Sequence, residues 1–266
     1  MDFFTKSPKS FPALSLQWHN PSCITNAILD IRLPVAYDVK KVLCQLDELG
    51  CRKIEIRSYE CLNPIIFSDL LNATTESVFN SIGIVTRFAP DVSEQAWQQL
   101  CDHHPRITSI ILHDSPDSKE ITSNMLLTPI KFVGMQISGA HCCGVIHPDY
   151  FTSLMEPVSE AHHYNSCLNR KIGIDLEGNI KNCPSMTQSF GHVSNITLAE
   201  IVHQLDFQRV WHIAKDEVDI CRDCEFRYVC TDCRAYLENP KMILASHSNV
   251  VTTLILENGK SGVPIL

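Results

Sequence analysis

From about Ser22 to Ser138 the chain alternates two hydrophobic patterns. Short runs rich in Ile and Val predict strands over Cys23–Ile31, Arg52–Arg57, Ser81–Phe88, Ile107–His113 and Ile130–Ile137. They read as apolar on both faces where longest, the pattern of a buried parallel sheet. Between them apolar residues recur three and four apart, which predicts helices. In Asp38–Leu49 the stripe is Val39, Val42, Leu43, Leu46 and Leu49, with Asp38 placed to cap the start and Gly50 the end. Pro64–Leu71 and Val92–His103 fill the next two gaps, and Ser93 or Asp91 can cap the latter. A strand returns roughly every 25 to 30 residues, the spacing of βα units. The expected fold class is α/β, a partial (β/α) barrel-like parallel sheet over residues 1–140, with a plain doubly wound sheet as the alternative.

Near His141 the pattern breaks. HCCGVIHPDYF, HHYNSCLNRK, GIDLEGNIKNCPSM and CRDCEFRYVCTDC are rich in Cys, His, Asn, Gly and Pro and supply few apolar side chains. A metal ion or cluster commonly substitutes for a core in such a region. We therefore expect a second, cysteine-rich domain over 141–240, followed by an atypical tail over 241–266.

Composition narrows the options. Of 266 residues, 44% are hydrophobic and 20% charged, so a sizeable core is possible and the composition argues against wholesale disorder. A net charge of −8 with no Lys/Arg block argues against a nucleic-acid partner, since phosphate binding needs clustered cations. The start MDFFTKSPKSF lacks the basic and apolar regions of a secretory signal, and no apolar run is long enough to span a bilayer. The expectation is a soluble cytoplasmic protein without a membrane partner. Five of the 13 cysteines, Cys23, Cys44, Cys51, Cys61 and Cys101, are scattered and read as small buried hydrophobes. The other eight fall between positions 142 and 233, and in a reducing compartment such clustering means metal or redox chemistry.

Six of these have ligand spacing. Cys167, ten residues, Gly178, four residues and Cys183 enclose KIGIDLEGNIKN, which reads as a hairpin turning at Glu177-Gly178. Such a hairpin is expected to return Cys183 towards Cys167. The second group is Cys221-x2-Cys224-x5-Cys230-x2-Cys233, two knuckles in which paired sulfurs can face one ion while Arg222, Arg227 and Arg234 offset thiolate charge. Spacing alone leaves zinc and iron–sulfur both open.

The combined pattern resembles the signature of the SPASM domain, which carries auxiliary 4Fe-4S clusters in radical S-adenosylmethionine peptide-modifying enzymes. More narrowly, HHYNSCLNRKIGID, GNIKNCPSM, SFGHVSN and CRDCEFRYVCTDCRAY resemble the SPASM-domain peptide maturases of grasp-with-spasm systems, as do LSLQWHNPSCITNAILDI, PRITSIILHDSP and HCCGVIHPDYF upstream. The resemblance covers residues 11 to about 240. It implies an iron–sulfur cofactor, an ATP-grasp peptide ligase and a ribosomally made precursor peptide as partners, and a role in peptide maturation. It further implies that Cys167, Cys183 and Cys233 serve one cluster and Cys221, Cys224 and Cys230 the other. A fourth ligand to the first would fall near Ala161, where His162 and His163 stand; Cys142, Cys143 or His141 are the other candidates. The second would take a cysteine downstream of Cys233, and this sequence has none.

Radical chemistry of that class needs Cys-x3-Cys-x2-Cys after the first strand, leaving one iron open for the cofactor. Here the loop is Arg32-Leu33-Pro34-Val35-Ala36-Tyr37, and after the second strand the chain reads Ser58-Tyr59-Glu60 instead of a Gly-rich loop. The resemblance thus implies a degenerate radical-SAM-like half with no S-adenosylmethionine site. A shifted frame over Ser248–Ile255 can encode Lys-Cys-Gly-Tyr-Asn-Pro-Tyr-Thr, so a frameshift that removed the last cysteine is expected of the tail. Three readings of function stay open: a maturation factor without cofactor cleavage, a redox or Lewis-acid peptide-modifying enzyme, and a zinc-stabilised adaptor. Of the remaining candidates, His103-His104 read as a helix C-terminus and His113-Asp114 as a weak site at a strand end.

Overall fold

The computed structural model describes residues 22–144, 146–147 and 150–248, which fall into two compact units. The larger comprises Ser22–Cys143 and Arg170–Gln208. Its strands are β1 (Asn26–Asp30), β2 (Lys53–Arg57), β3 (Ser81–Arg87), β4 (Ile107–His113), β5 (Lys119–Thr122), β6 (Pro129–Val133), β7 (Lys171–Ile174) and β8 (Ile180–Lys181). They form one mixed sheet in the order β5-β6-β4-β3-β2-β1-β7-β8. The six inner strands run parallel, and β5 and β8 are antiparallel edges.

Helix α1 (Val39–Glu48) buries Val39, Val42, Leu43 and Leu46, and the Asp38 carboxylate accepts from the Lys41 N–H at 3.0 Å as its N-cap. Gly50 follows at φ +73°, closing the helix in the left-handed region. Helix α2 (Pro64–Asn72) starts on Asn63, whose side chain accepts from Ile65 and Ile66, and α3 (Glu94–His103) starts on Ser93. Trp97 of α3 and Phe67 of α2 meet at 6.1 Å between ring centres. The helices α5 (Leu198–Val202) and α6 (Leu205–Gln208) complete this unit, α5 opening on a capping box between Thr197 and Glu200.

The sheet is not apolar on both faces. One face carries Ala27, Leu29, Ile54, Ile56, Ile82, Ile84, Ile110 and Leu112, all buried. The alternating positions carry Asn26, Lys53, Glu55, Ser81 and Ser109, exposed or half-buried, because successive strand side chains point to opposite faces. β6 also stops at Val133, four residues before the expected end, and β5, a short polar strand, has no apolar periodicity to announce it.

The hairpin expected inside the cysteine-rich domain belongs to this sheet. β7 pairs with β1 in parallel register, Asn26 opposite Lys171 and Leu29 opposite Ile174, and all four of its residues are buried. Residues 170–208 therefore group with the sheet and not with the rest of 141–240. The physical reason is the pair Ile172 and Ile174, both fully buried in the sheet unit.

The second unit comprises Gly144–Asn169 and the described residues from Arg209 on. It holds α4 (Met155–Ala161), three 3-10 turns at Arg209–His212, Lys215–Glu217 and Cys221–Asp223, and an isolated bridge between Leu237 and His247. Phe207 and Phe190 pack in the sheet unit, whereas Phe151 and Phe226, 5.5 Å apart, pack in the second. No described helix is long and apolar enough to cross a membrane. The tail expected over 241–266 lies outside the described residues from position 249, as does the stretch before Ser22.

Candidate functional site

Two sets of side chains carry chemistry, one in each unit. In the second unit, Cys221 opens a 3-10 turn and Cys224 donates its N–H to the Cys221 carbonyl at 3.0 Å, the tight reversal that an x2 spacing allows. Ile220, just before, is held at φ +65°, a left-handed conformation that a β-branched residue adopts only under constraint. Cys230 donates to the Phe226 carbonyl at 2.9 Å, and the Tyr236 N–H reaches the Cys233 carbonyl. Cys221, Cys230 and Cys233 are buried, and Cys167 and Cys224 are partly exposed. Burial pushes the Cys221 thiol up; Lys215 and Arg234 act against that, while Asp232 and Cys230 add to it.

A buried polar node organises these turns. The Asn165 Oδ1 accepts from the backbone N–H groups of Cys167 (3.0 Å) and Leu168 (2.8 Å), while its Nδ2 donates to Asp232 Oδ2 at 3.1 Å. Asp232 in turn pairs with the fully buried Arg234 side chain, whose Nη1 donates to the Ala245 carbonyl at 2.8 Å. Lys215 Nζ donates to the Thr231 carbonyl at 3.0 Å, and Ser166 Oγ to the Cys230 carbonyl at 3.2 Å. One asparagine thus ties the backbone of Cys167 to the residue beside Cys233. Sequence reasoning missed this node; the signal was the pair of Asn and Asp residues flanking cysteines in NSC and TDC.

The remaining expected site residue, Cys183, is fully buried after β8 and lies in the sheet unit. Its carbonyl accepts from the Met186 N–H at 2.9 Å. Of the candidates for further ligands, His162 stacks on Tyr228 at 3.7 Å between ring centres, a contact that engages the ring face. His141, Cys142 and Cys143 belong to the sheet unit. Among the described residues, no group of three or more His, Cys, Asp or Glu side chains is arranged to hold a metal ion. The donor chemistry of the six cysteines suits a thiolate-ligated metal.

In the sheet unit a second set lies at the carboxyl ends of the parallel strands, where α/β folds gather ligands. Asp30 ends β1 and Arg57 ends β2, directly opposite in register. Arg57 donates from Nε to Asp30 Oδ1 (2.7 Å) and from Nη2 to Oδ2 (3.1 Å), and the Tyr59 hydroxyl donates to Oδ2 at 2.7 Å. The pair is 1% and 8% exposed at its side chains. Burial by itself would lower the Arg57 pKa, but the Asp30 charge and hydrogen bonds outweigh it and hold the guanidinium firmly protonated. His113 at the end of β4 is buried, accepts from the Ile137 N–H at 3.3 Å, and is driven towards its neutral form by desolvation. Arg87 and Asp114 form an ion pair at the same edge.

The loop after β6 brings a thiol to this unit. The Ser138 hydroxyl lies 3.2 Å from His141 Nε2 and 3.8 Å from Cys142 Sγ. Burial would raise the Cys142 thiol, but hydrogen bonds from Ser138 backbone and hydroxyl and from the Gly139 backbone outweigh it and lower the pKa. A charged residue ending each of two apolar strands, AILD and IEIR, was the signal that could have located this edge.

Compared with protein-family models, with curated proteins and with solved structures, the chain matches none.

Proposed function

We propose that this protein is a maturation factor for a ribosomally synthesised peptide, acting with an ATP-grasp ligase and binding precursor or ligase through a SPASM-like, cysteine-ligated iron–sulfur module. In this reading the sheet is a partial radical-SAM-like barrel without S-adenosylmethionine cleavage, and the metal has a structural role. The observation that carries it is the Asn165 node, which fastens the Cys167 backbone to Asp232, next to Cys233. Those two cysteines are the ones the SPASM resemblance assigns to one cluster. The cysteine-free loop of residues 32–37 after β1 supports the absence of cofactor cleavage.

A zinc-stabilised adaptor is the second reading. Cys221, Cys224, Cys230 and Cys233 lie in one unit while Cys183 lies in the other, a distribution that favours a local four-thiolate site. Anaerobic purification with iron, sulfide and zinc analysis separates the two. Broad absorbance near roughly 400 nm that is lost on oxidation supports clusters. Stoichiometric zinc in a colourless protein retires them. Incubation with precursor and ligase then tests the function: ligase product that forms equally well without this protein sinks the maturation reading.

A further inference from the structure

A lysine is rarely buried without a charge partner, because an ammonium taken out of water loses its hydration. Lys215 is buried in the second unit, 4% exposed, at the start of the 3-10 turn Lys215–Glu217. Its Nζ donates to the Thr231 carbonyl at 3.0 Å, and among the described residues no carboxylate comes within ion-pair distance of it. The acidic neighbours are committed elsewhere: Asp216 to Arg227 and Tyr228, Asp232 to Arg234 and Asn165. One carbonyl takes up one of three N–H donors and offsets none of the charge.

The buried groups around Lys215 leave that charge standing. Asp232 and Arg234 cancel as an ion pair, so the ammonium remains as a net positive charge. His247, also buried, is driven towards its neutral form by desolvation, with Arg234 and Lys215 acting in the same direction against Asp232.

What Lys215 does face is sulfur. Cys230 Sγ donates to the same Thr231 carbonyl, at 3.3 Å, so ammonium and thiol meet on one oxygen atom. Lys215 also acts on Cys221: burial pushes that thiol up, and the lysine charge leads the groups that oppose it. Cys230 is in turn a charged neighbour of Cys221, so the three side chains form one cluster. The two cysteines come from different knuckles, Cys221-x2-Cys224 and Cys230-x2-Cys233. A divalent ion held by four thiolates is a dianion overall, and an iron–sulfur core ligated by thiolates also ends negative. Either would bring to Lys215 the negative charge that its other neighbours withhold.

We propose that Lys215 is the counter-ion of a metal–thiolate centre that takes Cys221 and Cys230 as ligands, a cation placed so that the second unit accepts an anionic centre and not a neutral one. This rests on the cysteine-ligated metal module proposed above and is independent of any role in peptide maturation.

Two variants test it in the full chain. Lys215→Met keeps most of the side-chain volume and removes the charge; Lys215→Arg keeps the charge. Reduced, metal-free protein is titrated with zinc chloride against a chromophoric chelator, and a second sample is reconstituted anaerobically with iron(II) and sulfide. Lys215→Met should weaken zinc binding at least roughly tenfold, about 1.4 kcal/mol. In the iron arm it should lower the reduction potential, since an anionic centre that loses its cation takes up an electron less readily. Lys215→Arg should stay close to wild type in both arms. The metal-free proteins should respond the other way. Without metal the buried ammonium is destabilising, so Lys215→Met should melt at the wild-type temperature or above it. A lysine that only props the fold would instead lower the melting temperature with and without metal alike. Equal zinc affinity and equal potential in wild type and Lys215→Met overturn the role of Lys215 and leave the metal module standing. A wild-type chain that takes up neither zinc nor an iron–sulfur cluster overturns the module and this proposal with it. A Lys215→Met chain that fails to fold without metal also overturns the proposal.

Discussion

The Asp30–Arg57 pair offers the sharpest test of what holds the sheet edge. Replacing Arg57 by Met keeps most of the side-chain volume and removes the partner of a carboxylate that is 1% exposed. Asp30 would lose both guanidinium hydrogen bonds, at 2.7 and 3.1 Å, and keep only the Tyr59 hydroxyl among its side-chain partners. Breaking a buried pair by removing one member typically costs about 3–5 kcal/mol, because the desolvated charge left behind is uncompensated. Against a total stability of about 5–15 kcal/mol that loss is large. Asp30→Leu with Arg57→Met removes both charges, and its cost should be small, within about 1–2 kcal/mol of wild type, since an apolar pair of similar volume needs no solvation. The Tyr59 hydroxyl, only partly buried, can turn to water.

Urea unfolding followed by Trp97 fluorescence, with Trp18 and Trp211 replaced by Phe, reports this unit, because Trp97 is 2% exposed in its core. The double-mutant cycle then isolates the coupling. An Arg57→Met cost below about 1 kcal/mol, or a double variant as unstable as the sum of the singles, would refute the reasoning.

Three further outcomes are expected. The Asp175 carboxylate accepts from the backbone of Glu177 and Asn179 and from Lys181 Nζ at 2.9 Å; burial would raise its pKa, but these partners outweigh it and depress it. Its contribution is therefore present above the ordinary value of 3.8 and lost as pH falls through the depressed folded value, so Asp175→Asn should cost about 1–2 kcal/mol at pH 7 and flatten acid unfolding below about pH 4. A variant with an unaltered acid limb counts against this. Gly173→Ala places a methyl 2.4 Å from Pro184 Cδ and 2.9 Å from the Cys183 carbonyl carbon, so it should cost about 1–3 kcal/mol in thermal unfolding, and a neutral result would show that the β7–β8 hairpin yields freely. Iodoacetamide at pH 8 should label Cys142 ahead of Cys51 and Cys101, whose thiols burial pushes up to about 12; mass mapping that finds Cys51 as fast as Cys142 contradicts the hydrogen-bonded thiol.

The βα spacing made the first four strands and three helices legible, because each strand has an apolar centre and two of the helices start at caps visible in the sequence, Asp38 and Ser93. The polar face escaped notice because Ile28, Val85 and Ile111 interrupt the alternation that Asn26, Glu55 and Ser109 would otherwise show. The hairpin was legible as a hairpin, including the Gly178 turn at φ +88°. Its address was not, since partner choice depends on contacts 145 residues away in sequence, such as Thr25 with Arg170. At the cysteines, spacing revealed the knuckles but not the Asn165 node, because single polar residues acquire meaning only when folding buries them together.

The placement of β7 beside β1 also has a consequence in time. A ribosome adds roughly 5–20 residues per second, so the 145 residues between Thr25 and Arg170 take roughly 7 to 30 s to emerge. During that interval β1 can pair with β2, but its other edge, Asn26 to Leu29, offers unpaired N–H and C=O groups to any passing strand. Translation speed, and whatever chaperone shields that edge meanwhile, therefore decides how much of the nascent chain reaches the eight-stranded sheet and how much is lost to aggregation.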